Sequence, residues 1–179
     1  MRKFLSVFSG CCLACLFCAG CFEDDDSWEA NITAYCDYGW DYEYDFSTLT
    51  EAQRSALQDI AVSDCVRSWN NMPACREERD VFISCYVNGN GPNGKNKISR
   101  CEGMAETCTG PKYECFEIVD TCIAEEVCHA EDFAWMECRQ ANAEAFKGYG
   151  NSASESAYSQ MKQYMEKTWG LDIDDYALE

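Results

Sequence analysis

Basic residues, histidine and proline are scarce in this sequence. Its 179 residues include 14 lysines and arginines against 32 aspartates and glutamates, one histidine and three prolines. The formal net charge of −18 repels the phosphates of nucleic acids and anionic lipid headgroups. We therefore expect no nucleic-acid partner, and any charged partner is expected to be a cation or a basic protein.

The motifs that usually mark an enzyme or a cofactor site are also missing. The sequence has no H-E-x-x-H zinc motif, no C-x-x-C-H haem attachment site and no glycine-rich phosphate loop, and no C-x-x-C pair follows residue 21. The single histidine, His129, stands next to Cys128, a cysteine expected to be in a disulfide rather than to act as a nucleophile. We predict no catalytic residue, no cofactor and no metal. A hydrolase that uses paired carboxylates, such as Glu131 with Asp132, is the remaining enzymatic alternative.

The N-terminus has the order of features of a secretory signal peptide. Arg2 and Lys3 precede an apolar stretch from Phe4 to Phe17, and small residues and then an acidic run follow. The apolar stretch is shorter than the roughly 20 residues that a membrane-spanning helix needs, so an uncleaved anchor is the second interpretation. Removal of residues 1–20 leaves 159 residues, enough for a single domain.

The end of this segment, Cys18-Ala19-Gly20-Cys21, resembles the lipobox of bacterial lipoproteins. The resemblance covers about the first 21 residues and departs from the usual pattern at Cys18, where the class mostly has leucine. It implies a diacylglycerol on the sulfur of Cys21, a membrane anchor and a cell-envelope location. Phe22, rather than aspartate, after the lipid cysteine implies the outer membrane if the host is Gram-negative. The alternatives are Cys15 as the lipid cysteine, or cleavage after Gly20 and release as an extracellular protein.

Ten cysteines follow Cys21, an even number that predicts five disulfides in an oxidising compartment. Four of them are spaced seven apart and so would share one face of a helix, but Thr109-Gly110-Pro111 breaks that helix in two. In an antiparallel hairpin, facing residues have a constant index sum, which predicts the pairs Cys101–Cys122 and Cys108–Cys115. A turn around residues 70–73 favours Cys65–Cys75 as a further pair. Spacing alone leaves four cysteines unassigned: Cys36, Cys85, Cys128 and Cys138.

Helical periodicity and capping signals predict an all-α domain at residues 35–179, preceded by an acidic tether at 21–34. Helix starts are expected near Thr50, Pro73, Ser99, Pro111, Ala130 and Ser152. Thr50 with Gln53, Ser99 with Glu102 and Ser152 with Glu155 have the spacing of capping boxes. We therefore predict five to six short helices in antiparallel hairpins, stapled by about five disulfides.

Aromatic and acidic residues alternate between Tyr35 and Phe46, a period of two that predicts an extended segment with one aromatic face. Aromatic faces flanked by carboxylates suit sugars or quaternary and basic groups. We therefore propose a ligand surface for a saccharide or a basic protein, formed by Tyr38, Trp40, Tyr42 and Tyr44. The simpler interpretation is that this segment packs its aromatic side against the helices. The whole sequence favours a lipid-anchored envelope protein with a non-catalytic binding or structural domain; the alternative is a freely secreted, disulfide-rich effector or ligand carrier.

Overall fold

The computed structural model describes residues 25–41, 43–90 and 93–178, with the backbone alone for residues 25–27 and 150–156. Seven α-helices make up most of this part of the chain, which has no strand beyond an isolated antiparallel bridge between Tyr44 and Ala177. The helices are α1 (Asp25–Asp37), α2 (Glu51–Asn70), α3 (Arg76–Asn88), α4 (Gly94–Thr107), α5 (Lys112–Cys122), α6 (His129–Ala141) and α7 (Tyr149–Trp169). A π-helical turn (Ile123–Val127) follows α5, and a 3₁₀ turn (Ile173–Tyr176) follows α7. The all-α prediction is confirmed. The seven α-helices of the described residues exceed the predicted five to six, because α1 was not expected.

The predicted signal peptide and the lipid cysteine Cys21 lie outside the described residues. Within the described residues, no helix combines the length and the apolar character that crossing a membrane requires.

Local capping signals place the ends of some helices correctly. At the start of α2, the Thr50 hydroxyl oxygen accepts the Gln53 backbone N–H at 3.3 Å, and the Gln53 side-chain oxygen accepts the Thr50 N–H at 2.9 Å. This reciprocal pair satisfies two amides that would otherwise lack partners. The capping boxes expected at Ser99 and Ser152 are wrong, because α4 already begins at Gly94 and α7 at Tyr149. The earlier start of α4 adds the turn that carries the buried Ile98.

The acidic tether and the extended aromatic segment are both corrected by helix α1. Residues 25–34, predicted as part of a solvated tether, lie in this helix, and its Ile32 is fully buried. The helix continues through Tyr35 to Asp37, and turns rather than a strand follow it. The alternating aromatic pattern was misleading because its first members belong to a helix that packs against α2 and α3.

Five disulfides link the helices in the part of the chain that the structure describes. The structure joins Cys101 to Cys122 and Cys108 to Cys115, the two pairs predicted from the α4–α5 hairpin. The predicted pair Cys65–Cys75 is wrong: Cys65 bonds to Cys36 of α1, and Cys75 bonds to Cys138 of α6. The reason is that α1 packs beside α2, whereas Cys75 lies beyond the turn, in a left-handed conformation (φ +61°) at the start of α3, which packs on α6.

The fifth disulfide is Cys85–Cys128. Together with Cys75–Cys138 it joins α3 to the antiparallel α6: one bond lies near the start of α3 and the end of α6, and the other near the end of α3 and the start of α6. These two pairs have equal index sums, as do the two pairs of the α4–α5 hairpin. Of the four cysteines that spacing left unassigned, Cys85 and Cys128 bond to each other. Cys36 bonds to Cys65 and Cys138 bonds to Cys75, so all four are paired across long stretches of chain.

The buried side chains form two clusters. The stapled core contains four of the five disulfides and side chains from α1 and α3 to α6, together with the C-terminal half of α2. The second core, which contains no disulfide among the described residues, joins α2 to α7 and the 3₁₀ turn. Its buried members are Phe46, Leu49, Leu57, Ala61, Met161, Met165 and Ile173. Helix α2 contributes to both cores and so connects them.

Candidate functional site

The residues predicted as a ligand surface lie at the junction of the two cores. Tyr38, Trp40 and Tyr44 are half-buried in the turns that follow α1, and all three line one groove of about 640 Å³. The fourth, Tyr42, is outside the described residues. We call this feature the aromatic groove, after its aromatic lining residues: Tyr35, Tyr38, Trp40, Tyr44, Tyr86, Phe116 and Tyr158.

One wall of the aromatic groove belongs to the stapled core. The rings of Tyr35 on α1 and Tyr86 on α3 meet at 78° with their centroids 5.0 Å apart, and Tyr38 meets Tyr86 at 63° and 6.1 Å. Phe116 of α5 extends this wall, 5.2 Å from the ring of Tyr38. Edge-to-face contacts of this kind fix the rings in different planes.

The opposite wall belongs to the second core. Trp40 and Tyr44 both stack on the buried Phe46, at interplanar angles of 20° and 6°. The backbone bridge to Ala177 holds Tyr44 near the C-terminus, and Tyr158 of α7 completes the wall. The groove thus brings α3 and α5 opposite α7, while Tyr38 and Trp40, on different walls, lie on either side of Gly39 in one short segment.

Gly39 makes the sharp turn between these walls possible. Its φ of +69° lies in the left-handed region, which favours glycine. A Cβ atom at this position would also overlap the ring of Phe116. The groove therefore needs glycine at position 39 both for the backbone turn and for the close approach of α5.

Carboxylates supply the charge of the aromatic groove. Glu43 and Asp120 are among its lining residues, and the Asp120 carboxylate accepts a hydrogen bond from the Tyr86 hydroxyl at 2.8 Å. None of its lining residues within the described part of the chain is basic. The nearby Lys112 and Lys162 are themselves paired with carboxylates, Lys112 with Asp41 at 2.7 Å and Lys162 with the acids of the 3₁₀ turn.

The phenols that line the groove stay neutral at physiological pH. Burial raises the pKa of Tyr38 to about 12, with the charges of Glu102 and Asp120 acting in the same direction. Burial and the neighbouring Asp120 also raise the pKa values of Tyr35 and Tyr86 well above their usual range. The tyrosines thus contribute neutral aromatic surface and hydroxyl groups, and the negative charge resides on the carboxylates.

The other chemically reactive groups offer little at this site. All ten cysteines within the described residues are in disulfides, so none of them presents a thiolate. Cys75, Glu78 and Cys138 come close enough together to resemble a metal site, but both sulfurs belong to one disulfide. His129 is exposed at the start of α6. An arrangement of aromatic faces and carboxylates is suited to holding a ligand.

Several groove residues escaped the sequence analysis. Tyr86, Phe116, Asp120 and Tyr158 come from α3, α5 and α7, and none of them stands in the alternating segment. The disulfide pattern could have grouped only part of them: the bonds Cys85–Cys128 and Cys101–Cys122 place α3 and α5 in the stapled core, but α7 contains no cysteine. No match was found for the chain among protein-family models, curated proteins or solved structures.

Proposed function

We propose that this chain is a lipid-anchored cell-envelope protein whose helical domain binds a ligand in the aromatic groove and does not catalyse a reaction. The anchor is the lipid expected on Cys21, and the groove is the observation that carries the binding role. Seven aromatic side chains with two carboxylates line a space of about 640 Å³, which is in the size range of small-molecule sites.

The disulfides support the proposed location. Five disulfides in one small domain are typical of proteins that fold in an oxidising compartment, outside the cytosol. This argument applies equally to the alternative, a freely secreted ligand carrier or effector. The two proposals differ only at the N-terminus, in whether the mature chain begins with a lipidated Cys21.

The intact mass of the protein from the membrane fraction of its host separates these proposals. We expect a chain that begins at Cys21, is heavier by a lipid and exposes ten alkylatable thiols only after reduction. The variant Cys21→Ser should lose the lipid and leave the membrane fraction, whereas the matched variant Cys15→Ser should stay anchored. An unlipidated chain in the medium would instead support the secreted alternative.

A further inference from the structure

We propose that the ligand of the aromatic groove is a small organic cation that carries a quaternary or otherwise alkylated ammonium group. This inference rests on the binding role proposed above and adds the chemical class of the ligand. It follows from the orientation of the rings, the sign of the charge and the size of the groove.

The ring geometry favours a rounded group over a flat one. The ring of Tyr86 is inclined by 78° to that of Tyr35 and by 63° to that of Tyr38, so the groove offers ring surfaces that point in different directions. Trp40, which stacks on the buried Phe46, lines the groove from the other core. A flat sugar ring gains most from one broad face, whereas an alkylated ammonium contacts several ring faces at once through cation–π attraction.

The charges select a cation. Glu43 and Asp120 line the groove, and no lysine, arginine or histidine is among its described lining residues. The formal charge of −18 on the whole chain attracts cations from a distance and repels anions. A neutral saccharide would gain nothing from this field, and an anionic ligand would be opposed by it.

The size of the groove favours a small molecule over a protein segment. At about 640 Å³ it lies within the roughly 300–1,000 Å³ that is usual for small-molecule sites. An ammonium group with a short polar tail would place its alkyl groups against the rings and its charge near the two carboxylates. A lysine-rich peptide would require a longer acidic channel.

Isothermal titration calorimetry with choline and its neutral isostere 3,3-dimethylbutan-1-ol tests this inference. In the isostere a carbon replaces the nitrogen, so the shape is kept and the charge is removed. The protein is the full-length chain, exported so that its disulfides form and purified in detergent. We expect choline to bind about tenfold more tightly than the isostere, since a partly desolvated cation–π contact is worth on the order of 1–2 kcal/mol.

Three variants locate the binding. Glu43→Gln and Trp40→Leu should each weaken choline binding several-fold, and Glu137→Gln, an exposed carboxylate on α6 away from the groove, should leave it unchanged. Circular dichroism and the thermal unfolding midpoint confirm that each variant is folded. Because Glu43 is itself exposed, its substitution tests the charge without opening a core.

Each other outcome overturns the inference in a recognisable way. Equal affinity for choline and its isostere would show an apolar site, and binding of N-acetylglucosamine oligomers without choline would show a saccharide site. Binding of a lysine-rich peptide but not of choline would show a protein partner. In these three cases the proposed binding role is kept and only the proposed ligand class is wrong. Absence of binding to every probe would contradict both. The lipid anchor is tested separately by the intact mass.

Discussion

The two cores of this domain are stabilised by different means. The stapled core has four disulfides among its buried side chains, and a fifth bond closes the tip of its α4–α5 hairpin. The second core has no disulfide and depends on packing around the fully buried Leu57, Met165 and Ile173. At the surface of this core, Lys162 of α7 forms ion pairs with Asp172 and Asp174 at the start of the 3₁₀ turn.

This difference bears on the aromatic groove, because each core supplies one of its walls. The wall from α1, α3 and α5 is constrained by covalent bonds even in the unfolded chain. The wall that carries Tyr158 is held by packing between α2 and α7, by the backbone bridge between Tyr44 and Ala177 and by the ion pairs of Lys162, none of which is covalent. We infer that the stapled wall is the more rigid one and that α7 is the element that opens first when the domain loosens.

The strongest test of this comparison is a cavity in the second core. Met165 is fully buried on α7, and Met165→Ala should cost about 2–5 kcal/mol of unfolding free energy, through lost burial and the space left behind. Hydrogen exchange should accelerate in α7 while the amides of α3 and α6 keep their protection. The exposed Gln163→Ala on the same helix is the control. Equal acceleration in α3 and α6 would mean that the two cores open as one unit.

The contribution of each disulfide to the free energy of unfolding should depend on the length of the loop that it closes. Cys75–Cys138 spans 63 residues and Cys108–Cys115 spans 7. If the main effect is on the entropy of the unfolded chain, replacing the first pair by serines should cost about 2 kcal/mol more than replacing the second. Urea unfolding of the two double variants measures the difference. Equal costs would show that native packing around the sulfurs, and not loop closure, decides the stability.

A smaller effect is expected where glycine turns the chain. Gly39 and Gly170 both have positive φ, +69° and +68°, but a Cβ at Gly170 meets no atom within 4 Å, whereas one at Gly39 overlaps Phe116. Gly170→Ala should cost about 1 kcal/mol for the left-handed backbone alone. Gly39→Ala should cost at least about 1 kcal/mol more, because α5 must move away from the groove. Thermal unfolding compares them, and equal costs would show that the Phe116 ring yields freely.

The disulfides that close short, local loops could be predicted from the sequence, and a disulfide that joins distant elements could not. The cysteines of the α4–α5 hairpin are evenly spaced about one short turn, so local geometry alone determines their pairing. Cys36 and Cys65 are joined across 29 residues, and their pairing depends on α1 being a helix. The alternating aromatics concealed that helix, because the segment with a period of two begins at Tyr35, inside the last turn of α1, and was interpreted as extended from its first residue.

Only part of the lining of the aromatic groove could be predicted from the sequence, for a related reason. Tyr38, Trp40 and Tyr44 are close in the sequence and share one local pattern, so they could be grouped before the fold was known. Tyr86 and Tyr158 belong to helices whose packing depends on the long-range disulfides and on the second core. Which side of α3 or α7 faces the groove follows from that tertiary packing, and no local periodicity encodes it.

The mildest test combines alkaline pH with a single substitution on the stapled wall. Burial raises the pKa of Tyr38 to about 12 in the folded protein, above its ordinary value of 10.0. Below pH 10 the phenol is protonated in both states, and its contribution to stability is fully present. Between pH 10 and 12 the unfolded chain loses this proton first, so the free energy of unfolding falls as the pH rises.

Tyr38→Phe removes this titrating group and keeps the ring. Urea unfolding at intervals from pH 9 to 12 should therefore show a shallower loss of stability in the variant than in the original chain. Part of the slope should remain, because the buried Tyr35 and Tyr86 also have raised pKa values. An unchanged slope would mean that Tyr38 is as open to solvent in the folded state as in the unfolded one, so that the stapled wall is not closely packed around this ring.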